Sequence, residues 1–551
     1  MKNNFFLQGK ILFTKKQNNI LSAATVLMIM ILASAVLGLI RDRLLAGWFF
    51  IQSNQWQLDV YFASFRIPDM LFQILILGSL SAAFIPVFTE YLVKDEKEAY
   101  NFSSLVLNSG LLIFIVMVSG AFIFARPLSQ LITNLKDYQL DLMVNLLRIL
   151  LFGQILFAIS NFFTAILQSN QRFLLPAFAA FLYNLGVILG IIFFTPIFGI
   201  YGPVLGVILG IILHWLIQLP LVKNLGFKHN LRVNYQHPGI KKIGRLMLPR
   251  TISFAFDQLN LSITVFIATS LAVGSLSIYN FAQHLSGLPV SLFGLTIGQA
   301  ALPILAKEAN VNKENFRNLL VASLHQILFL ALPAGIILLV LRIPAVRLAF
   351  GAKAFPWEAT ILTGKIVGIL ALSIFSQGIA ELLMRAFYAL QNTTTPLILK
   401  GISVVFNGVL SFVLVFTLKL GILGLALANS LTNVFYGLFL LVFLQKDLTT
   451  LYKKDVFVPI IKMVLITVLS GLALWGPMRL LDHYVLDTTR TIQLIALTII
   501  VLIFGGSIYL LFAFLFKIDQ LDNFIAVVKK FGQWRQVLSQ SQEVLDEKQH
   551  S

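Results

Sequence analysis

The sequence predicts an all-α polytopic membrane protein: 14 transmembrane helices, arranged as two parallel-related six-helix lobes plus two C-terminal helices. Three observations carry this expectation. Of 551 residues, 58% are hydrophobic and only 12% charged, and the mean hydropathy is +0.88; a soluble domain is about 45–50% apolar and about 25% charged. Apolar runs long enough to cross a hydrocarbon layer ~30 Å thick recur from end to end. The two halves of the chain also repeat one another. A transmembrane barrel would instead show alternating segments of ~10 residues. The chain has no cysteine, which excludes disulfides, iron–sulfur clusters and thiolate chemistry.

The apolar spans fall at 20–40, 61–88, 104–125, 142–167, 174–195, 198–222, 246–272, 278–305, 316–341, 360–388, 396–418, 421–444, 457–477 and 491–516. Their even number puts both termini on one side. The net charge of +18 would suggest nucleic acid in a soluble protein. Here most basic residues lie between spans, concentrated in the N-terminus, the loops after even-numbered spans and the C-terminal tail, with six in residues 223–245 alone. The charge is therefore read as topology, with both ends cytoplasmic and no nucleic-acid partner. Ala33-Ser34-Ala35 has the form of a signal-peptidase site. Thirteen spans and a charged pair follow it, so residues 20–40 are read as the first span.

The repeat is visible without any comparison. "LQSNQRFLLPAFAAFLYN" (167–184) parallels "LQNTTTPLILKGISVVFN" (390–407), pairing Gln168 with Gln391 and Asn184 with Asn407 at an offset of 223. Gly199 and Gly202 return as Gly421 and Gly424, offset 222, and Pro86 returns as Pro303, offset 217. The expected domains are an N-terminal lobe (1–222), a basic cytoplasmic linker (223–245), a C-terminal lobe (246–444), two extra spans (445–516) and an amphipathic cytoplasmic tail (517–551). Six spans per lobe make the repeat parallel. Parallel-repeat transporters rock two such halves about a shared site near the membrane midplane.

Ionisable groups within apolar spans are rare, and they mark cavities or partners. Arg41 and Asp42 close span 1 in "GLIRDRLLAGWF", either as an interfacial anchor or as a functional pair. Arg66 and Asp69 open span 2 in "YFASFRIPDML" and are close enough on a helix to pair. Asp257 stands deep in span 7 with no base at helical spacing nearer than Arg250, either a proton or cation site or a polar contact between helices. Glu381 and Arg385, four apart in span 10, form a salt bridge or a gate. Gln283 and His284 form a polar patch with Ser286 in span 8.

Enzyme signatures are absent from the sequence. The seven histidines show no metal-ligand pairing, and neither a G-x-S-x-G element nor a phosphate-binding glycine loop occurs. Without an ATPase segment, transport would draw on an ion gradient, the membrane potential or the substrate gradient. The tail "FKIDQLDNFIAVVKKFGQWRQVL" is expected to be an interfacial helix.

The ordered set "SAVLGLIRDRLLA", "YFASFRIPDML", "GSLSAAFIPVFTEYL", "SNQRFLLPAFAAFLYNLGVI", "LPVSLFGLTIGQAALPILAKEA", "VRLAFGAKAF" and "RAFYALQNTTTP" resembles the MurJ (MviN) family. Its members are lipid II flippases of peptidoglycan synthesis within the multidrug/oligosaccharidyl-lipid/polysaccharide exporter superfamily. The resemblance spans the first twelve helices and implies a two-lobe, fourteen-helix fold. It also implies alternating-access movement of an undecaprenyl-diphosphate-linked disaccharide-pentapeptide from the inner to the outer leaflet of the bacterial cytoplasmic membrane. Arg41, Arg66 and His284 are then expected to bind the diphosphate, because guanidinium forks suit phosphate oxygens. Asp42, Asp69, Gln283, Glu381 and Arg385 would support the cavity or its gates. Asp257 and Asn407 would couple transport to sodium, protons or the membrane potential, with no other cofactor.

The implied partners are the polyprenyl-linked glycan lipid, the bilayer and cell-wall synthesis proteins, around a monomeric transporter. The chain departs from the family pattern at Ala35, Phe72, Gln73, Leu77, Gln283, His284 and Gly287, where relatives often carry charge, so its cavity holds fewer arginines. Four alternatives stay open at this point: export of another polyprenyl-linked glycan, drug/cation antiport, a transport-inactive scaffold and a membrane-embedded transferase.

Overall fold

The computed structural model describes residues 20–50, 54–77, 83–309, 311–351, 355–447, 454–488, 490–522 and 524–525. Among these, the chain is helical throughout and broken by short turns. The helices are α1 (Ile20–Phe49), α2 (Gln55–Ser64), α3 (Arg66–Phe72), α4 (Ile85–Lys94), α5 (Glu96–Ile123), α6 (Ala125–Ile132), α7 (Asp137–Ser169), α8 (Leu174–Phe193), α9 (Thr195–Phe198), α10 (Tyr201–Asn224) and α11 (Pro238–Thr269). They continue as α12 (Ser275–Pro289), α13 (Thr296–Ala309), α14 (Lys313–Val340), α15 (Arg342–Phe350), α16 (Trp357–Ala371), α17 (Ile374–Ala389), α18 (Thr394–Phe412), α19 (Gly421–Asp447), α20 (Lys454–Leu480) and α21 (Thr491–Leu515).

Eleven uninterrupted segments are long and apolar enough to span a bilayer, and α16 with α17, bent by 44°, makes a twelfth. The two remaining expected spans are the 30-residue α1, roughly 45 Å long, and the broken run α2–α3–α4. Each of the fourteen apolar stretches thus coincides with helix. The tail beyond Ile525 lies outside the described residues, as do 78–82 of span 2.

Irregularities in the backbone recur at nearly constant spacing. Span 2 carries a π-helical segment at Gln73–Leu77, and span 8 carries one at Val290–Leu295. Their starts are 217 residues apart (290 − 73), the spacing of Pro86 and Pro303. Gly199 and Gly421 both take positive φ, at 55° and 56°. One pairing is corrected. Gln171 and Gln391, with φ of 59° and 58°, occupy the same turn, and Arg172 N–H and Asn392 N–H close it on Leu167 O and Phe387 O. The local offset is therefore 220 (391 − 171), not 223, and Pro176 matches Pro396. Gln168 sits in the last turn of α7, so matching "LQ" with "LQ" slid the register by three.

The chain forms two compact units. The first comprises residues up to Leu288, Ala345–Leu370 and Thr393–Thr432; the second comprises Pro289–Pro344, Ala371–Asn392 and the chain from Asn433 on. In the first unit, α8 and α10 cross with their backbones in contact. A Cβ on Gly190 would lie 2.1 Å from Gly206 Cα, and one on Gly186 would lie 2.3 Å from Gly210 Cα. Lipid tails are as apolar as leucine, so helices in a membrane associate by such close van der Waals fit. A buried polar cluster ties α7 to α10: Ser160 Oγ lies 2.5 Å from His214 Nδ1, and Thr164 Oγ1 donates to Gln218 Oε1 at 2.9 Å.

In the second unit, α20 and α21 pack around α14. Gly471 admits the Ile336 side chain, a cluster of Val340, Leu341, Leu474, Leu497 and Val501 is fully enclosed, and Tyr509 donates to Phe329 O at 2.9 Å.

The segment expected to be a plain basic linker is partly built in. Helix α11 starts at Pro238, eight residues before the apolar span, with the His237 side chain accepting from Gly239 N–H. Upstream, the chain is stapled to α5: Asn230 N–H donates to Ser104 Oγ at 2.8 Å, and Asn108 Nδ2 donates to Arg232 O at 2.8 Å. Lys242 grips Glu90 of α4 at 2.8 Å and holds that carboxyl below its ordinary range.

The glycine crossing yields a test. Gly190→Val forces α8 and α10 apart and costs about 3 kcal/mol, the upper range for overpacking a tight contact. Gly120→Val, where a Cβ meets nothing within 4 Å, leaves the detergent melting temperature within a few degrees; a melting scan of both variants checks this.

Candidate functional site

A cavity of about 260 Å³ lies within the first unit, lined by α1, α2, α3, α8, α10, α11 and α12. Its polar wall brings together Arg41, Arg66, Asp69, Gln283 and His284, five of the ten site residues expected from sequence. Asp42, 1% exposed, stands behind that wall and organises it. Arg41 donates to Asp42 Oδ1 from Nε at 3.0 Å and from Nη2 at 2.9 Å. His284 Nδ1 lies 2.6 Å from Asp42 Oδ2. One carboxylate thus joins α1 to α12. Arg41 Nη1 also reaches Asn184 Oδ1 of α8 at 3.4 Å, and Asn184 Nδ2 donates to Ser34 Oγ at 2.9 Å.

Arg66 differs. It is 8% exposed, and its Nε and Nη2 are buried without a hydrogen-bond partner. The pairing with Asp69 that the three-residue spacing allowed does not form. Asp69 turns to α7, where Gln154 Nε2 donates to Oδ1 over 3.4 Å. The chain breaks at Phe65, which ends α2 and precedes α3. Arg66 therefore opens a new helix, and its guanidinium borders the cavity. A cation with unused donors on a cavity wall is built for an anionic group with several acceptor oxygens. Tyr61, Tyr183, Tyr279 and Asn280 complete the polar lining, and Gln283 Nε2 reaches Tyr279 Oη at 3.4 Å.

The end of the cavity nearest the start of α12 is closed by packing and capping. Phe50, Phe281, Phe350 and Phe355 form a buried aromatic cluster with centroids 4.7–6.4 Å apart, and Phe62 joins it to the His284 ring. Asp59 accepts from Gly274 N–H at 2.6 Å, Ser277 N–H at 2.8 Å and Ser277 Oγ at 2.6 Å, capping the first turn of α12. Arg43 donates to Leu348 O and Gly351 O at 2.6 and 3.1 Å, satisfying carbonyls at the end of α15. Sequence reading passed over Asp59 and Arg43, whose partners lie more than 200 residues away.

The remaining expected residues lie elsewhere. Asp257 is not a lone carboxylate: Lys400 Nζ of α18 sits 2.7 Å from its Oδ1. Only a base on the same helix could have been found by spacing. Three residues on, Asn260 Oδ1 accepts from Asn407 Nδ2 at 2.7 Å, and Thr432 Oγ1 donates to Asn407 Oδ1 at 3.3 Å. These residues form a polar seam between α11 and α18. Glu381 and Arg385 pair at 2.8 Å in the second unit, with Arg385 packed over Gly298 of α13.

A profile of the family described as lipid II flippase MurJ matches residues 53–515. The chain belongs to that family. A probable lipid II flippase MurJ of Bdellovibrio bacteriovorus is 29% identical over 484 residues, covering 86% of this chain and 90% of the relative. A second, of Thermotoga maritima, is 27% identical over 89% of this chain and 96% of its own length. The solved structure of a lipid II flippase MurJ in an inward closed conformation superposes with a TM-score of 0.73 at 25% identity, covering 90% of this chain and 99% of that one. An inward-facing multidrug resistance MATE family transporter of the MOP superfamily shares the fold, with a TM-score of 0.63 at 14% identity over 78% of this chain and 99% of its own. The family is one of membrane flippases, not of catalysts, and the alternative of a membrane-embedded transferase falls away.

Asp59→Ala strands three buried donors and costs about 3 kcal/mol of stability, the order expected for donors left without a charged acceptor. Melting of the purified variant beside Asp487→Ala, at the exposed Asp487–Arg490 pair, measures the difference. Asp59→Asn recovers part of it.

Proposed function

We propose that the chain moves lipid II, an undecaprenyl-diphosphate-linked disaccharide-pentapeptide, from the inner to the outer leaflet of the bacterial cytoplasmic membrane. The observation that carries this reading is the unpartnered Arg66 guanidinium on a cavity wall shared with Arg41 and His284. Family membership supports it independently. Arg66 would receive the diphosphate first, because its donors are unspent. Arg41 and His284 would follow by exchanging contacts with Asp42 for phosphate oxygens. The cavity, about 260 Å³, is below the ~300–1,000 Å³ typical of ligand pockets. It suits the diphosphate alone, and the sugars and peptide require the closed end at Phe281 and Asp59, or the opposite end, to open.

In this reading, residues 1–222 and 246–444 act as the two rocking lobes, a division supported by backbone features that recur at offsets of 217–222. Both termini face the cytoplasm, on the strength of the basic loops. Coupling falls to Asp257, where an entering sodium ion or proton competes with the Lys400 ammonium. Asn407 supports it by holding Asn260 in the same seam. The chain works as a monomer beside cell-wall synthesis proteins.

Complementation of a flippase-depleted bacterium, with lipid II accessibility assayed on the outer surface, tests the reading. Wild type restores outward lipid II. Arg66→Gln lowers the rate by roughly tenfold or more, the loss of a charge-assisted contact of about 1.5–3 kcal/mol. Lys400→Met alters the dependence on sodium or pH without abolishing insertion. Lipid II that stays inside, in cells whose membranes contain the protein, overturns the assignment.

A further inference from the structure

A second cavity, about 170 Å³ and also within the first unit, differs in kind from the first. It is enclosed by Leu107, Ala158, Phe162, Ile240 and Ile243 and opens past Gly110 and the exposed Ile113 on the outer side of α5. A dry apolar void of about 150 Å³ is large enough to hold a benzene-sized group, so this one accepts a stretch of hydrocarbon. Its position fits a lipid. Gly110 lies six residues inside the apolar span that starts at 104, roughly 9 Å along the helix from the interface. That interface carries the basic 223–245 segment. Lys241 and Arg245 are exposed and adjoin the lining residues Ile240 and Gly244 on α11.

Two details mark the cavity as a site and not a packing gap. Ser109, 5% exposed, lines the cavity with its Oγ buried and without a partner. The rim is also held in place, because the 229–232 stretch is stapled to α5 through Ser104 and Asn108.

We propose that this cavity binds one acyl chain of an anionic diacyl phospholipid from the leaflet on the basic side. The chain fills the apolar pocket, an ester carbonyl accepts the Ser109 hydroxyl proton, and Lys241 and Arg245 hold the headgroup. Basic sites between membrane helices recognise anionic lipids in this way. A phospholipid suits the site better than a polyprenyl chain, which offers no ester oxygen at the depth of Ser109.

Gly110 and Gly244 supply the test, because a Cβ on either meets nothing within 4 Å. Gly110→Leu and Gly244→Leu fill the void from opposite walls without displacing backbone. Full-length protein is exchanged into nanodiscs of phosphatidylcholine with phosphatidylglycerol, extracted, and weighed by native mass spectrometry. Wild type retains one phosphatidylglycerol, each leucine variant retains at least tenfold less, and Lys241→Gln/Arg245→Gln loses the preference for phosphatidylglycerol over phosphatidylcholine. Melting temperatures identify any variant that fails to fold, and the other leucine variant then carries the comparison. Undiminished retention in a folded leucine variant overturns the proposal. So does displacement of the retained lipid by undecaprenyl phosphate at equal concentration, which would assign the cavity to the polyprenyl tail.

Discussion

A charge inside a hydrocarbon layer has to find its counter-charge within the protein, and most of this structure's long-range polar contacts answer that demand. Asp42 is the centre of it. Nearly inaccessible itself, it binds Arg41 on its own helix and His284 across to α12. The same demand joins Asp257 to Lys400 and Glu381 to Arg385. Against this background, Arg66 stands out: a buried guanidinium with two unpartnered nitrogens is costly to keep unless its partner arrives from outside. A transporter for a diphosphate lipid has a use for such a group. It leaves part of its electrostatic demand unmet until the substrate enters.

Helix contact obeys a second requirement. Where water offers no driving force, helices adhere by closeness, and the glycines of α8 and α10 allow backbone contact that any side chain would prevent. That rigid pair carries Tyr183 and Val207 to the cavity wall. The breaks serve the opposite purpose. Spans 2 and 8 both contain π-helical segments, and such bulges often mark functional positions because they redirect side chains and free backbone carbonyls. In span 2, the break at Phe65 and the π segment at Gln73 bracket Arg66 and Asp69. The irregularity is thus confined to the residues that face the cavity.

Much of the site was legible residue by residue, because intramembrane charge is rare enough to flag itself. Arg41, Arg66, Asp69, Gln283 and His284 were chosen for that reason, and they share one cavity. What failed was partner assignment. Asp69 lay within reach of Arg66 by spacing yet turned to Gln154, and Asp257 seemed alone because Lys400 is 143 residues away (400 − 257). Asp59, at the polar edge of a span, looked like ordinary surface chemistry until Gly274 and Ser277 were seen to donate to it.

The sequence by itself determined the helices, their number and the internal repeat. These depend on hydropathy over some twenty consecutive residues and on turn-forming positions such as Gly199 and Gly421, all local properties. Tertiary structure decided which polar groups share a carboxylate, which cation is left with unused donors, and where glycines on facing helices meet. Those outcomes depend on contacts between residues a hundred or more positions apart, and no local pattern encodes them. Even the repeat shows the division: its existence could be read from matching dipeptides, but its true register, Gln171 with Gln391, required the backbone conformation that both turns share.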